Sequence, residues 1–181
     1  MPGGGKSTVG RHLARRLNRE FFDTDAVIER RVGCSIRAIF ESEGEEPFRD
    51  IEQDVIAELV NQPGAVLATG GGAVLREANR SALNDRCTVV YLRSTPEDLF
   101  RRLRHDNKRP LLQVEDPLAR LRELYWVRDP LYTQVAHFII ETGRPSVPTL
   151  VNMILMQLEL AGAIDPSHVP SLIDAARSLP P

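Results

Sequence analysis

The first eight residues contain a pattern that could bind phosphate. Gly5, Lys6 and Ser7 form the closing half of the phosphate-loop pattern GxxxxGK[ST]. Glycines let successive backbone N–H groups turn toward one anion, and the helix that follows adds the positive end of its dipole. A lysine here reaches the β- and γ-phosphates of a nucleotide, and the serine hydroxyl ligates Mg²⁺. The pattern therefore predicts a nucleoside triphosphate held with Mg²⁺ by Gly3, Gly4, Gly5, Lys6, Ser7 and Thr8.

The pattern is incomplete at its beginning. Its first glycine would fall one residue before Met1, and so would the hydrophobic strand that should lead into such a loop. From the sequence we therefore expect a chain that is truncated or wrongly started.

Two carboxylates follow the helix that the phosphate loop should open. Asp23 and Asp25 end a short apolar run that begins at Phe21. Such a run is typical of a buried parallel strand, which delivers polar side chains at its carboxyl edge. Alternation along a strand then places both carboxylates on one face. The alternative is that they cap the next helix, which is a frequent role of aspartate.

Arginines and glycines supply further candidates. Arg49 and Glu52 stand three residues apart in a helical pattern, and taken alone they indicate a surface pair worth a few tenths of a kcal/mol. Three consecutive glycines, residues 70–72, follow an apolar run and invite close backbone approach. Arg109 lies among other arginines, where a solvated charge is the default interpretation for any single member.

The elements that must position these residues alternate along the chain. Apolar periodicity and capping residues predict helices over residues 7–18, 26–32, 35–41, 48–59, 77–83 and 147–160, and others that start at Pro96 and Pro117. Apolar runs predict strands over residues 21–25, 65–69, 88–92 and 136–141. Such alternation implies an α/β fold with a parallel, doubly wound sheet.

Two segments fall outside this alternation. Residues 105–116 are polar, contain Arg109-Pro110 and lack periodicity. A connection of this length between two helices of an α/β domain predicts a mobile lid. The tail over residues 161–181 is rich in proline and could form at most one short helix, around residues 172–176.

Composition narrows the class of protein. The chain has 181 residues, of which 42% are hydrophobic and 27% charged, and this balance is typical of one soluble domain. A net charge of −2 and a pI near 6.1 argue against a nucleic-acid partner. Cys34 and Cys87 lack metal-binding or disulfide spacing, and no apolar run approaches membrane-spanning length. We therefore expect a cytoplasmic protein without a membrane partner.

Six motifs in one order and spacing resemble the shikimate kinases, which are P-loop proteins related to nucleoside-monophosphate kinases. They are Gly5-Lys6-Ser7-Thr8, Phe22-Asp23-Thr24-Asp25, Phe48-Arg49 with Glu52, Gly70-Gly71-Gly72, Arg109-Pro110-Leu111-Leu112, and Arg128 before Pro130-Leu131-Tyr132. The resemblance covers residues 1–160, with the tail beyond it. It implies one three-layer domain with a five-stranded type of parallel sheet, apparently without its first strand. It also implies transfer of the γ-phosphate of ATP to the 3-hydroxyl of shikimate, on the route to aromatic amino acids, with Mg²⁺ required.

The resemblance implies how the acceptor is bound. Arg49 and Arg128 match arginines that bind the carboxylate of shikimate, a task suited to the guanidinium fork. Glu52 would orient Arg49. Gly71 and Gly72 match backbone donors to the substrate, and with them Gly70 is expected to be a substrate-binding residue.

The remaining roles concern catalysis and the nucleotide. The implied catalytic residues are Lys6, Asp25 and Arg109. Asp25 matches the group that hydrogen-bonds the accepting hydroxyls and could act as base. Arg109 matches the lid arginine. Asp23 matches a residue that acts on Mg²⁺ through water. Arg102 stands at the family spacing to stack on adenine, and Arg144 is a further candidate in a segment that fits the family pattern poorly.

Two alternatives stay open at this point. One is another small-metabolite kinase such as gluconate kinase. The other is an inactive nucleotide-binding remnant, because in this family the strand that feeds the phosphate loop lies in the middle of the sheet. Each buried backbone group left unsatisfied costs about 1–3 kcal/mol, against a total stability of about 5–15 kcal/mol. We therefore expect the chain to be poorly stable, and we expect a monomer.

Overall fold

The computed structural model describes residues 1–103, 114–143 and 145–165. These residues form an α/β fold that is mostly helical, with short strands. The helices are α1 (Lys6–Leu17), α2 (Thr24–Val32), α3 (Ile36–Ser42), α4 (Glu45–Leu59), α5 (Glu77–Arg86), α6 (Pro96–Leu103), α7 (Pro117–Val135) and α8 (Val147–Leu160), with a 3₁₀ turn over Ala73–Leu75. The strands are β1 (Phe21–Asp23), β2 (Val66–Ala68), β3 (Val90–Arg93) and β4 (Phe138–Glu141). In the described ranges, no helix has the length and apolar character needed to cross a membrane.

The strands are parallel, as the alternation of elements predicts, and they form two pairs. In the first pair β1 runs beside β2, with Phe22 opposite Leu67. In the second β3 runs beside β4, with Tyr91 opposite Ile139. Within the described residues no ladder joins the two pairs into one sheet. The five-stranded type of sheet implied by the resemblance is therefore seen here as two half-sheets.

A cavity of about 340 Å³ lies between the half-sheets. Its lining is mostly apolar and includes Val66 and Leu67 of β2, Tyr91 and Leu92 of β3, and Leu13 of α1. The half-sheets are thus held in place mainly by the helices that pack on both of them.

Helices cover both faces of the half-sheets. Tyr91 and Leu92 are neighbours on β3, so their side chains point to opposite faces. Leu92 belongs to a buried cluster with α1, β4 and α8, which includes Leu13 and Ile154. Tyr91 belongs to a second cluster formed with helices α4 to α7, which includes Leu121. A third cluster joins α2, α3 and α4 and supports the helix that carries Arg49.

The predicted strand over residues 21–25 is too long. β1 ends at Asp23, and Thr24 and Asp25 already belong to the first turn of α2. The Asp23 side chain caps this helix by accepting from the Asp25 backbone N–H at 3.1 Å. The prediction that alternation along one strand places Asp23 and Asp25 on the same face is therefore wrong, and the capping alternative describes Asp23 correctly.

Candidate active site

The phosphate loop leads directly into α1. Gly3 and Gly5 have φ angles of 73° and 77°, a conformation that favours glycine. A Cβ at Gly3 would also lie 2.6 Å from a Leu103 methyl group. The first turn of α1 carries no carboxylate, so the positive end of its dipole is available to an anion. Lys6 Nζ donates to the Met1 carbonyl at 2.8 Å, which holds the ammonium group beside the loop.

One pocket of about 340 Å³ brings the sequence-predicted site residues together. With the exception of Arg102, every predicted site residue in the described part of the chain lines it. These are Gly3, Gly4, Gly5, Lys6, Ser7, Thr8, Asp23, Asp25, Arg49, Gly70, Gly71, Gly72 and Arg128. The phosphate loop and the candidate acceptor residues therefore share one site.

Arg49 and Glu52 are not a surface pair. Arg49 is 7% exposed and Glu52 is 1% exposed, and Arg49 Nη1 donates to Glu52 Oε2 at 2.6 Å. A second carboxylate, Glu45, accepts from Arg49 Nη2 at 2.9 Å. The guanidinium also lies over the Phe48 ring, 5.1 Å from its centroid. These contacts fix the orientation of a buried cation at the pocket wall.

Burial and neighbouring charges shift the pKa values of Arg49 and Glu52 in opposite directions. Burial raises the pKa of Glu52 above its ordinary value, although the neighbouring Arg49 partly opposes the shift. Burial alone would lower the pKa of Arg49, but the carboxylates of Glu52 and Glu45 outweigh it and raise that pKa. Glu52 Oε1 is buried, and no described residue donates a hydrogen bond to it. The pair thus leaves one polar carboxylate atom unsatisfied beside the pocket.

Arg128 reaches the pocket from α7. It is 6% exposed and donates through Nη1 to the carbonyl of Gly71 at 3.0 Å. Because this acceptor is neutral, the bond itself does not neutralise the guanidinium, although the Glu52 carboxylate lies near enough to interact with it. The guanidinium can therefore attract an anion. Arg49 and Arg128 thus approach the pocket from two different helices.

The glycine loop, formed by Gly70, Gly71 and Gly72, follows β2. A Cβ at Gly72 would collide with the Arg49 guanidinium. A Cβ at Gly70 would lie 2.7 Å from Asp25 Oδ1 and 2.8 Å from Glu52 Oε1. Glycines are therefore needed here because charged side chains pass close to the backbone.

Two residues that stand in the quoted motifs, but to which the sequence analysis assigned no role, also contribute to the site. The Thr24 hydroxyl is buried and accepts from the Gly70 N–H at 3.0 Å, which ties the glycine loop to α2. The Tyr132 hydroxyl donates to the Gly71 carbonyl at 2.5 Å. Tyr132 stands one helical turn after Arg128, and this spacing could have identified it.

The predicted adenine and lid residues lie elsewhere. Arg102 donates to the Thr142 carbonyl and, at 3.4 Å, to Ser94 Oγ, so it lies at the carboxyl ends of β3 and β4. Arg109 and Arg144, with most of the predicted lid, fall outside the described residues.

The fold and the site together define a P-loop kinase that acts on a small acceptor molecule. A family model described as shikimate kinase matches residues 2–159. The chain belongs to the shikimate kinase family and is an enzyme of that activity. The family predicted from the six motifs is thereby confirmed.

Individual shikimate kinases are similar to this chain over most of their length. Shikimate kinases of Ralstonia nicotianae and Burkholderia thailandensis are each 60% identical to the chain, over 166 and 164 residues. These matches cover 92% and 91% of this chain and 87% and 89% of the relatives.

Solved structures show the same fold. The shikimate kinase of Acinetobacter baumannii, in complex with shikimate, has a TM-score of 0.84 and 49% identity, with 90% of each chain covered. The shikimate kinase of Aquifex aeolicus has a TM-score of 0.79 and 33% identity, covering 90% of this chain and 94% of that one.

Proposed function

We propose that this pocket is where the enzyme transfers the γ-phosphate of ATP to the 3-hydroxyl of shikimate, which gives shikimate 3-phosphate and ADP. The observation that carries the proposal is that one pocket joins the phosphate loop to two buried arginines. Phosphoryl transfer depends mainly on positioning and on cations placed near the transferred group. A phosphate site and a carboxylate site within one pocket meet that requirement.

At the acceptor end, Arg49 and Arg128 bind the carboxylate of shikimate. A guanidinium can donate two parallel hydrogen bonds to a planar carboxylate, and burial strengthens them. Glu52 holds Arg49 in orientation through the 2.6 Å bond. The backbone N–H groups of Gly71 and Gly72, which line the pocket, donate to the same ligand.

Asp25 receives the accepting hydroxyl. It lines the pocket beside the glycine loop, at the amino end of α2. As the 3-hydroxyl oxygen forms its bond to the γ-phosphorus, its proton passes to the Asp25 carboxylate and the bond to the β–γ bridging oxygen breaks. Asp25 therefore acts as general base and also orients the nucleophile.

At the nucleotide end, the phosphate loop binds the triphosphate of ATP. Lys6 exchanges the Met1 carbonyl for the β- and γ-phosphates. Ser7 would ligate Mg²⁺ directly, and Asp23 would do so through water. Two protein groups are enough for Mg²⁺, which keeps several waters and takes other ligands from the substrate phosphates. The described residues contain no cluster of three or more His, Cys, Asp or Glu able to hold a metal. When bound, Mg²⁺ neutralises charge on the β- and γ-phosphates.

The lid and the adenine site complete the proposal. Arg109, within a lid of about residues 105–116, closes over the phosphates and stabilises charge that develops on the transferred group. Arg102 and Arg144 contact the adenine. The motif spacing described above supports the assignments of Arg109 and Arg102, whereas Arg144 is supported only by its place along the chain.

We also infer that the two half-sheets belong to one five-stranded type of parallel sheet, in a three-layer domain over residues 1–160. The helices on both faces and the family match over residues 2–159 support this interpretation. We further propose that the protein is a cytoplasmic monomer.

The test is ADP release from Mg-ATP with shikimate, with gluconate and with no acceptor. We expect release only with shikimate, and a Lys6→Met variant, prepared identically, excludes a contaminating kinase. Release with gluconate alone would show that the acceptor is assigned wrongly. A folded protein that binds ATP and responds to no acceptor would be the inactive remnant.

A further inference from the structure

The hydroxyl of Tyr132 bonds to two loops that border the pocket. It accepts from the amino-terminal ammonium group of Met1 at 2.9 Å and donates to the Gly71 carbonyl at 2.5 Å. Met1 lies within the phosphate-loop pattern, and Gly71 belongs to the glycine loop. Tyr132 is 8% exposed, so water competes little for either bond. One buried hydroxyl therefore links the donor side of the site to the acceptor side.

The bonds of Tyr132 form part of a longer path. Lys6 Nζ donates to the Met1 carbonyl at 2.8 Å, and Arg128 Nη1 donates to the Gly71 carbonyl at 3.0 Å. The path therefore runs from the lysine assigned to the phosphates, through Met1, Tyr132 and Gly71, to an arginine assigned to the carboxylate.

The two loops also lie against each other. A Cβ at Gly71 would lie 3.4 Å from the Pro2 nitrogen and 3.6 Å from the Met1 carbonyl carbon. The two loops are therefore so close that a small shift of the glycine loop would also change its contact with the phosphate loop. The Tyr132 hydroxyl bonds to both loops.

The Tyr132 ring is well placed to keep the hydroxyl in position. It packs against the Tyr91 ring with centroids 4.8 Å apart. Burial raises the pKa of Tyr132 to about 12, although the neighbouring Arg128 opposes the shift. The hydroxyl therefore stays protonated near neutral pH and can donate to Gly71.

We propose that Tyr132 is a positioning residue that sets the separation and orientation of the phosphate donor and the acceptor. This proposal rests on the function proposed above. Tyr132 does not touch the reacting atoms. It holds the Gly71 carbonyl against the phosphate loop, so that bound shikimate and bound ATP meet in line. A misplacement of about 1 Å can cost roughly 100-fold in rate.

The test compares Tyr132→Phe with Tyr91→Phe. The first change removes the linking hydroxyl and keeps the ring. The second removes the hydroxyl of another buried tyrosine. This hydroxyl donates to Asp129 at 2.8 Å, and neither residue lines the active-site pocket. Initial rates at varied shikimate and Mg-ATP give kcat and both KM values. For Tyr132→Phe we expect kcat to fall about 10- to 100-fold, with each KM within about 2-fold of the wild type. For Tyr91→Phe we expect wild-type kinetics.

Several results would overturn the proposal. A wild-type kcat in Tyr132→Phe would show that the hydroxyl positions nothing. A raised shikimate KM with unchanged kcat would show that it serves binding alone, and an equal loss in both variants would indicate a general packing effect. Thermal melting above the assay temperature and an unchanged Kd for Mg-ADP identify folded protein. A wild type that releases no shikimate-dependent ADP would instead refute the proposed function, and this inference with it.

Discussion

Removal of the Arg49 side chain should strongly destabilise the protein. In the Arg49→Ala variant Glu52 keeps its buried position but loses its partner at 2.6 Å. Glu52 is 1% exposed, so water cannot replace the lost charge. The other carboxylate bound to Arg49, Glu45, has a side chain that is 54% exposed and can be solvated. The destabilisation should therefore come mainly from Glu52.

The magnitude follows from this burial. Breaking a buried ion pair by removal of one partner costs about 3–5 kcal/mol, whereas an exposed pair contributes about 1 kcal/mol or less. Against a typical total of about 5–15 kcal/mol, the loss is a large share of the stability. The double variant Arg49→Ala/Glu52→Gln no longer buries an unpaired charge. It should therefore recover about 1–2 kcal/mol relative to the single variant.

The destabilisation should also depend on pH. Burial already raises the pKa of Glu52 in the folded protein, and removal of Arg49 takes away a charge that lowers it. A carboxyl with a raised folded pKa favours the folded state while it is protonated, and this contribution is lost as pH rises through the folded pKa. The cost of Arg49→Ala should therefore be smaller near about pH 5 than near about pH 8.

Urea unfolding followed by circular dichroism measures each free energy of unfolding. Arg37→Ala is the matched control, because Arg37 and Glu41 form an exposed helical pair at 2.7 Å, with side chains 59% and 64% exposed. We expect the control to lose about 1 kcal/mol or less. Equal losses in Arg37→Ala and Arg49→Ala, or a double variant no more stable than Arg49→Ala, would refute the reasoning.

Two further variants test the proposed roles in catalysis and binding. Arg109→Ala should lower the single-turnover rate of phosphoryl transfer by roughly 10³-fold while the shikimate Kd stays within about 2-fold; normal turnover would remove Arg109 from the mechanism. Gly72→Ala places a methyl group where the Arg49 guanidinium lies, so the KM for shikimate should rise about 10-fold or more and the KM for ATP should not change. An unchanged shikimate KM in Gly72→Ala would contradict this reasoning.

Local patterns in the sequence predicted most of the helices. α8 occupies the predicted residues, Val147–Leu160. Ser35 caps α3, as predicted, by accepting from the Ala38 N–H at 3.2 Å, and Gly33 ends α2 with a φ of 80°. These features depend on residues within about one helical turn of each other, so a linear pattern contains the information. The phosphate loop is of the same kind, since its glycines, lysine and helix are contiguous.

The end of β1 was not determined by local pattern. The run from Phe21 to Asp25 reads equally well as a strand or as a strand followed by a helix cap. The Asp23 side chain caps α2, and the Thr24 hydroxyl accepts from Gly70, 46 residues away. The second contact exists only once β1 and β2 are paired.

The burial of the Arg49 and Glu52 pair is likewise a tertiary property. Residues three apart on a helix have the same spacing whether their face lies in water or beneath other elements. The link between Tyr132 and Gly71 spans 61 residues. The sequence alone thus identifies the family, most helices and the motif residues, because each rests on local patterns or on their order. The packing of whole elements decides which charges are buried and which loops touch, because those energies depend on residues far apart in the chain.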